Sequence, residues 1–178
     1  MGGFLQFDLS FVTWMQQLHA PWLDFLMVWV SRLTDLGLIW IIPALIALPF
    51  RKTRRAGVSV LLALALGFLL GNEVIKPLVA RARPFELNSA VTLLVAMPRG
   101  ASFPSSHALT CFSAATALFV VNRRLGFAAL LFAALVAVSR LYLYVHFLTD
   151  VLAGAIIGVL CGLLAARITQ RLFQKSQL

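Results

Sequence analysis

Hydrophobic positions in this chain run together rather than alternate. Predominantly apolar stretches occupy Leu36–Phe50, Ala56–Gly71, Ala108–Val121, Leu125–Val138 and Val151–Ala166. Each falls a little short of the ~20 residues a helix needs to cross the hydrocarbon core of a bilayer, and flanking residues lengthen most of them. The pattern predicts five spanning helices. Sustained period-two alternation, the mark of strands and membrane barrels, does not occur.

The first 35 residues read differently. Phe7, Phe11, Trp14, Met15 and Leu18 recur at i, i+4, i+7, i+8 and i+11, while Gln6, Ser10, Thr13 and Gln17 fill the other face. That spacing predicts an amphipathic helix, and its aromatic content suits a membrane interface, although its polar face lacks the usual basic residues. His19-Ala20-Pro21 ends the helix. Trp22–Leu33 is apolar but carries Asp24, Ser31 and Arg32, and it is too short to span alone. It is either re-entrant or joined to Leu36–Phe50 in one kinked helix. The expected fold class is all-α: a polytopic transmembrane helical bundle of five to six membrane helices plus an N-terminal interfacial helix. One domain covers 1–178, with an interfacial or re-entrant segment at 1–35 and the bundle that carries the chemistry at 36–171.

Composition sharpens this picture. Of 178 residues, 61% are hydrophobic and 12% charged, too much apolar surface for a soluble domain of this length to hide. The net charge of +9 comes from short clusters between apolar runs. This distribution fits orientation in a bilayer and attraction to anionic lipid heads rather than nucleic acid. One set of helix ends carries Arg51, Lys52, Arg54, Arg55, Arg123, Arg124, Arg167, Arg171 and Lys175; the other carries Arg32, Lys76, Arg81, Arg83, Arg99 and Arg140. The positive-inside rule puts the first set in the cytoplasm and the second outward, toward the periplasm or exterior. Met1 leads into Gly2-Gly3-Phe4 without a basic region or a small-residue cleavage site, so no removable signal peptide is expected. Cys111 and Cys161 lie inside apolar runs without C-x-x-C spacing and read as buried, inert thiols. Gly154, Gly158 and Gly162, like Gly67 and Gly71, recur every four residues. Such faces let backbones approach closely in lipid. Packing inside the chain is the reading adopted, with a homodimer through the same faces as the alternative.

The chemistry lies in three blocks: Lys76…Arg83-Pro84, then Pro104-Ser105-Ser106-His107, then Ser139-Arg140…His146…Asp150. Their spacings are K-x6-R-P, P-S-S-H and S-R-x5-H-x3-D. Ionisable groups within apolar helices are costly and by default mark a functional site. His146 and Asp150 are four apart, on one helical face. A carboxylate on one imidazole nitrogen fixes the tautomer and frees the other nitrogen to attack. Pro104-Ser105-Ser106 reads as a helix start with Ser105 or Ser106 as N-cap, whose free N–H groups suit an anion. His107, in that first turn, is placed to protonate a departing oxygen. Lys76 and Arg83, seven apart, project from similar angles if the helix persists, although Pro77 and Pro84 favour an end or kink there. With Arg140 they form a cationic clamp for phosphoryl oxygens. Arg81 and Arg99 read as side chains snorkelling to lipid heads, and Glu73 as a residue that either orients Lys76 or offsets its charge. The six acids are spread over the chain, so metal-independent chemistry without a cofactor is expected.

These blocks resemble the signature of the type 2 phosphatidic acid phosphatase superfamily, K-x6-R-P, P-S-G-H and S-R-x5-H-x3-D, with spacing kept from Lys76 to Asp150 and Ser106 in the usual glycine position. The resemblance implies a helical bundle with its site at the outer leaflet of the bacterial inner membrane. It also implies His146 as phosphohistidine-forming nucleophile, Asp150 as its partner and His107 as acid. Lys76, Arg83, Ser105 and Arg140 would bind phosphate, joined by the Ser106 hydroxyl. The substrate would be a membrane lipid phosphate. Small size, short loops and an outward site look most like bacterial members that dephosphorylate undecaprenyl diphosphate, a step in carrier-lipid recycling for peptidoglycan and in bacitracin resistance. Phosphatidylglycerophosphate and phosphatidic acid are the alternative substrates. Phe85–Phe103 and the N-terminal helix, by position, are the expected selectors of headgroup and tail. Vanadate-dependent haloperoxidases share the constellation, but the hydropathy of this chain argues against them. A transporter would spread its charges through the bundle's depth.

Overall fold

The computed structural model describes residues 3–88 and 90–175. The leader reading at Met1–Gly2 and the side chain of Lys175 lie outside the described residues. Every apolar run folds as helix, and no strand occurs among the described residues. Helix α1 covers Gly3–Met15 and α2 Pro21–Arg32, the latter with Pro21 in its first turn, where a missing N–H costs nothing. After a single turn at Asp35–Gly37 comes α3, Leu38–Ala47. Helix α4, Arg54–Phe68, continues through wider π-type turns at Leu69–Ile75 into α5, Lys76–Val79. A short α6 at Pro84–Leu87 precedes the long connection to α7, Ser106–Val121. Helix α8, Arg123–Tyr142, is capped by the Asn122 side chain, which accepts the Leu125 N–H at 3.2 Å. Helix α9 runs from Leu148 to Lys175.

Helix α7 sits at the centre, packed on α9, α8 and α4. Its inward positions are small: Ala108, Ala114, Ala115 and Ala117 are fully buried. Gly154, Gly158 and Gly162 of α9 lie against the carbonyls of Ser105, Leu109 and Ser113, where an added Cβ would stand 2.6 Å from each oxygen. Gly67 of α4 and Gly71 in the π-type turns lie against the Leu109 side chain, 2.5 Å from where a Cβ would stand. Both small-residue faces are thus occupied inside the chain. Large apolar residues such as Phe25, Ile46, Leu131 and Ile156 point outward, the arrangement of a protein whose solvent is lipid.

Among the described residues, three helical runs are long and apolar enough to cross a membrane: Arg54–Leu87, Arg123–Tyr142 and Leu148–Gln174. Pro21–Arg32 and Asp35–Ala47, bent by 48°, add a fourth if taken as one span. These spans do not confirm the five to six expected. Helix α7, with 16 residues, is about 24 Å long at 1.5 Å per residue, and as the enclosed helix it is covered by its neighbours rather than by lipid.

The region around Lys76 and Arg83 departs from the simplest expectation. Ala80 adopts left-handed backbone (φ 45°) and ends α5, and Arg83 is extended before Pro84. Lys76 and Arg83 are therefore not two turns apart on one helix. The stripe expected on α1 is divided between two faces. Asp8, Val12 and Met15 face the protein, whereas Phe7 and Trp14 of the expected apolar face are exposed. In a membrane protein the large apolar side chains belong outside, and here an acidic residue points in.

Candidate active site

The end of the α4–α5 run, the start of α7, the end of α8 and the start of α9 converge at one end of the bundle, bringing the three blocks together. His146 lies in the short connection between α8 and α9 and is only 2% exposed. Its Nε2 is 3.3 Å from Arg83 Nη1. Guanidinium can only donate, so Nε2 is the unprotonated nitrogen and Nδ1 carries the hydrogen. Nδ1 lies 3.4 Å from Ser102 Oγ and 3.6 Å from Asp150 Oδ2. The Ser102 hydroxyl donates to Asp150 at 2.5 Å, so it links imidazole to carboxylate while the two partners stand slightly apart. Asp150 also accepts the Phe147 N–H at 2.9 Å and Arg81 Nη1 at 2.7 Å. Burial pushes the His146 imidazole down to about 3, with Arg140 and Arg83 adding to the shift and Asp150 opposing it. The ring is neutral at physiological pH, as a nitrogen nucleophile must be.

The cations are held from several elements. Arg83 is buried, donating from Nε to the Gly100 carbonyl and from Nη1 to that of Val145, both at 2.9 Å. Nη2 reaches the Arg99 and Ala101 carbonyls. Residues 99–101 of the connection before α7 therefore cradle Arg83, and Ser102 follows directly. Lys76 Nζ donates to Ser106 Oγ at 2.6 Å, and that hydroxyl donates to Asn72 Oδ1 at 2.7 Å. As placed, the Ser106 hydrogen is engaged and its oxygen positions Lys76. Glu73 is exposed and makes no contact with this lysine among the described hydrogen bonds. Arg140 donates to Ser31 Oγ at the end of α2. Its Nε and the Ser105 hydroxyl are buried without a protein partner among the described residues, although such groups are nearly always paired in native proteins. Ser105 is the N-cap of α7, and its backbone N–H donates to the Asp150 carbonyl at 3.0 Å.

His107 Nε2 donates to Asp35 Oδ1 at 3.0 Å. Beside it opens a cavity of about 470 Å³ whose polar end is Asn72, Ser106 and His107 and whose walls include Leu36, Ile41, Leu64 and Phe68. The walls come from α3, α4 and the α2–α3 break, whereas Phe85, Val91, Leu93, Val95 and Met97 line a separate hollow of about 260 Å³.

Sequence reasoning missed four residues in this assembly. Arg81, read as a lipid-facing side chain, instead ion-pairs with Asp150 at 2.7 Å and Asp8 at 2.8 Å, with its guanidinium over the Phe147 ring. Arg99, by contrast, is exposed. Asp8, 1% exposed, also accepts the Thr149 N–H at 3.1 Å and fastens α1 behind the loop that carries His146. Ser102 and Asp35 complete the set. The signal was available for Asp8 and Asp35: each is a carboxylate in an apolar context, the criterion applied to the blocks themselves. Among the described residues no three His, Cys, Asp or Glu side chains group as metal ligands.

Fold and site together define a polytopic helical membrane protein with a buried imidazole–carboxylate pair among fixed cations, an arrangement suited to a multiply charged oxyanion. The chain belongs to the PAP2 superfamily, whose family model matches residues 56–174. It is 32% identical over 147 residues to the undecaprenyl-diphosphatase of Sulfolobus acidocaldarius, covering 82% of this chain and 70% of that protein. Among solved structures, the transmembrane PAP2 type phosphatidylglycerolphosphate phosphatase of Bacillus subtilis superposes with a TM-score of 0.80 at 27% identity, covering 96% of this chain and 88% of that one. LpxE of Aquifex aeolicus gives a TM-score of 0.77 at 26% identity, with 90% and 95% covered.

Proposed function

We propose that this chain is an integral membrane lipid phosphatase that converts undecaprenyl diphosphate to undecaprenyl phosphate through a phosphohistidine intermediate. His146 Nε2 attacks the terminal phosphorus, and the P–O bond to the leaving undecaprenyl phosphate breaks as His107 supplies a proton. Water then attacks the phosphohistidine, the P–N bond breaks, inorganic phosphate leaves and His107 recovers its proton. Lys76, Arg83, Arg140, Ser105 and the first-turn amides of α7 neutralise the phosphoryl oxygens in flight. Ser106 acts through Lys76. The site faces outward from the bacterial inner membrane, and the reaction recycles carrier lipid for peptidoglycan and supports bacitracin resistance.

One observation carries this reading: a neutral imidazole whose unprotonated nitrogen lies 3.3 Å from a buried guanidinium. A nucleophile and an anion clamp thus share one point. The apolar walls beside Ser106 and His107 support a substrate with a hydrocarbon tail, and the relative from Sulfolobus acidocaldarius supports the diphosphate. The fit to the phosphatidylglycerolphosphate phosphatase favours a second reading, a phosphatidylglycerophosphate or phosphatidic acid phosphatase of phospholipid metabolism.

Phosphate release in detergent, compared side by side for undecaprenyl diphosphate, phosphatidylglycerophosphate and phosphatidic acid, separates the two. The proposal expects the diphosphate to give the highest kcat/KM and His146→Ala to release nothing from any of them. Preference for phosphatidylglycerophosphate would install the second reading.

A further inference from the structure

The three blocks provide a carboxylate for the buried histidine and none for His107, yet His107 has one. Asp35 lies on the single turn Asp35–Gly37 between α2 and α3. Leu36 and Gly37 both take left-handed backbone there (φ 58° and 68°), unusual for leucine, and Thr34 ties the turn back through its hydroxyl to the Ser31 carbonyl at 2.8 Å. The same junction that places Asp35 on His107 places Ser31 on Arg140. Two neighbouring side chains from outside the blocks thus each hold a block residue.

We propose that Asp35 is the positioning residue of the acid: it holds His107 by Nε2 and stabilises the imidazolium, so that Nδ1 delivers the proton to the leaving oxygen. This inference rests on the phosphatase reading above. Nδ1 has no hydrogen-bond partner among the described residues, whereas Nε2 is fixed at 3.0 Å. A cation already stands next door, because Lys76 Nζ contacts Ser106, the residue preceding His107. An imidazolium beside a lysine needs a counter-charge, and a carboxylate within hydrogen-bond distance supplies it. When the P–O bond breaks, the Nδ1 proton goes to the leaving oxygen, a phosphate oxygen for a diphosphate and an alkoxide for a monoester, and the neutral ring keeps its Nε2–H on Asp35. The hydrolytic water returns a proton to Nδ1 in the second step.

An acid matters only when the leaving group is poor. The test compares octyl phosphate, which expels an alkoxide, with 4-nitrophenyl phosphate, which expels a stable phenolate, using the full chain in detergent. Asp35→Asn is expected to lower kcat on octyl phosphate about 10²-fold, the range contributed by general acids, and to change kcat on 4-nitrophenyl phosphate by less than about threefold. Asp35→Glu recovers part of the octyl phosphate rate. In the Asp35→Asn/His107→Ala double variant, the octyl rate equals that of His107→Ala alone. Equal losses on both substrates would make Asp35 a merely structural residue and overturn the inference, as would no loss on either. His146→Ala separates the layers. If that variant keeps full turnover, the phosphatase reading falls and this one with it; if it is dead on both substrates while Asp35→Asn matches wild type, this inference alone falls.

Discussion

Two histidine–carboxylate pairs stand in this site, and their surroundings differ. His146–Asp150 is sealed, with side chains 3% and 0% exposed; Ser102, Arg83, Arg81 and the Phe147 amide surround it. His107–Asp35 sits at the mouth of a cavity, with side chains 21% and 59% exposed. The residue types are the same, but the access to solvent is not. Burial keeps the first imidazole neutral, and its contacts fix a tautomer whose Nε2 lone pair faces Arg83. Burial disfavours the charged ring in the second as well, but there Asp35 opposes that shift and the pair opens onto the cavity. The contrast teaches that environment separates the proposed roles: both pairs contain a histidine and an aspartate, and only the dry one fits the proposed nucleophile.

The strongest way to break the comparison is at the sealed pair. Asp150→Asn removes the charge that fixes the His146 tautomer, and the expected loss in kcat is about 10³- to 10⁴-fold. Phosphate-release kinetics read it directly, and a loss smaller than that of Asp35→Asn would reverse the ranking of the two pairs. Support from behind comes next. Arg81→Gln leaves two buried carboxylates, Asp8 and Asp150, without their shared cation, and the expected cost is about 3–5 kcal/mol. Thermal unfolding in detergent measures it, and adding Asp8→Asn should restore part of the stability. A further loss on that addition would contradict the ion-pair account.

Acidity sharpens the contrast more gently. An ordinary histidine titrates near 6.5, at about which an unfolded His146 takes up a proton, whereas the folded one stays neutral down to about 3. Between those values the unfolded chain binds the extra proton, so stability falls as pH drops through that window. His146→Gln lacks the group and should lose less stability between pH 7 and about 4.5. Parallel losses in the two proteins would argue against a buried neutral imidazole. The smallest effect belongs to Ser106→Gly. Its hydroxyl only positions Lys76, a hydrogen bond worth about 1 kcal/mol; the measurable result is a modest rise in KM with kcat nearly unchanged.

Much of this architecture was legible because the relevant signals are local. The apolar runs became helices near their expected bounds, and the blocks stood out as polar residues in hydrocarbon at helical spacing. What escaped depends on partners far apart in the chain. Arg81 looked like a snorkelling cation because Asp8 lies 73 residues away and Asp150 lies 69. Asp35 meets His107 across 72 residues, and no periodicity reaches that far. Helix α1 was legible only in part, for another reason. Its aromatic stripe was read as the membrane-contacting face of an amphipathic helix, but nothing in the pattern said that Asp8 would face inward to a buried arginine. The end of α5 at Ala80 was signalled by Pro77 and Pro84, and their effect outweighed the even spacing of Lys76 and Arg83.

The most direct test is to catch the covalent intermediate. Undecaprenyl diphosphate labelled in its terminal phosphate is mixed with the protein in detergent, quenched in alkali within the first turnover, and the labelled peptide is identified. The expected result is acid-labile label on His146, absent from His146→Ala and accumulating in His107→Ala, where the second step is slowed. Label on any other side chain, or full turnover by His146→Ala, would contradict the assignment of this imidazole as the nucleophile.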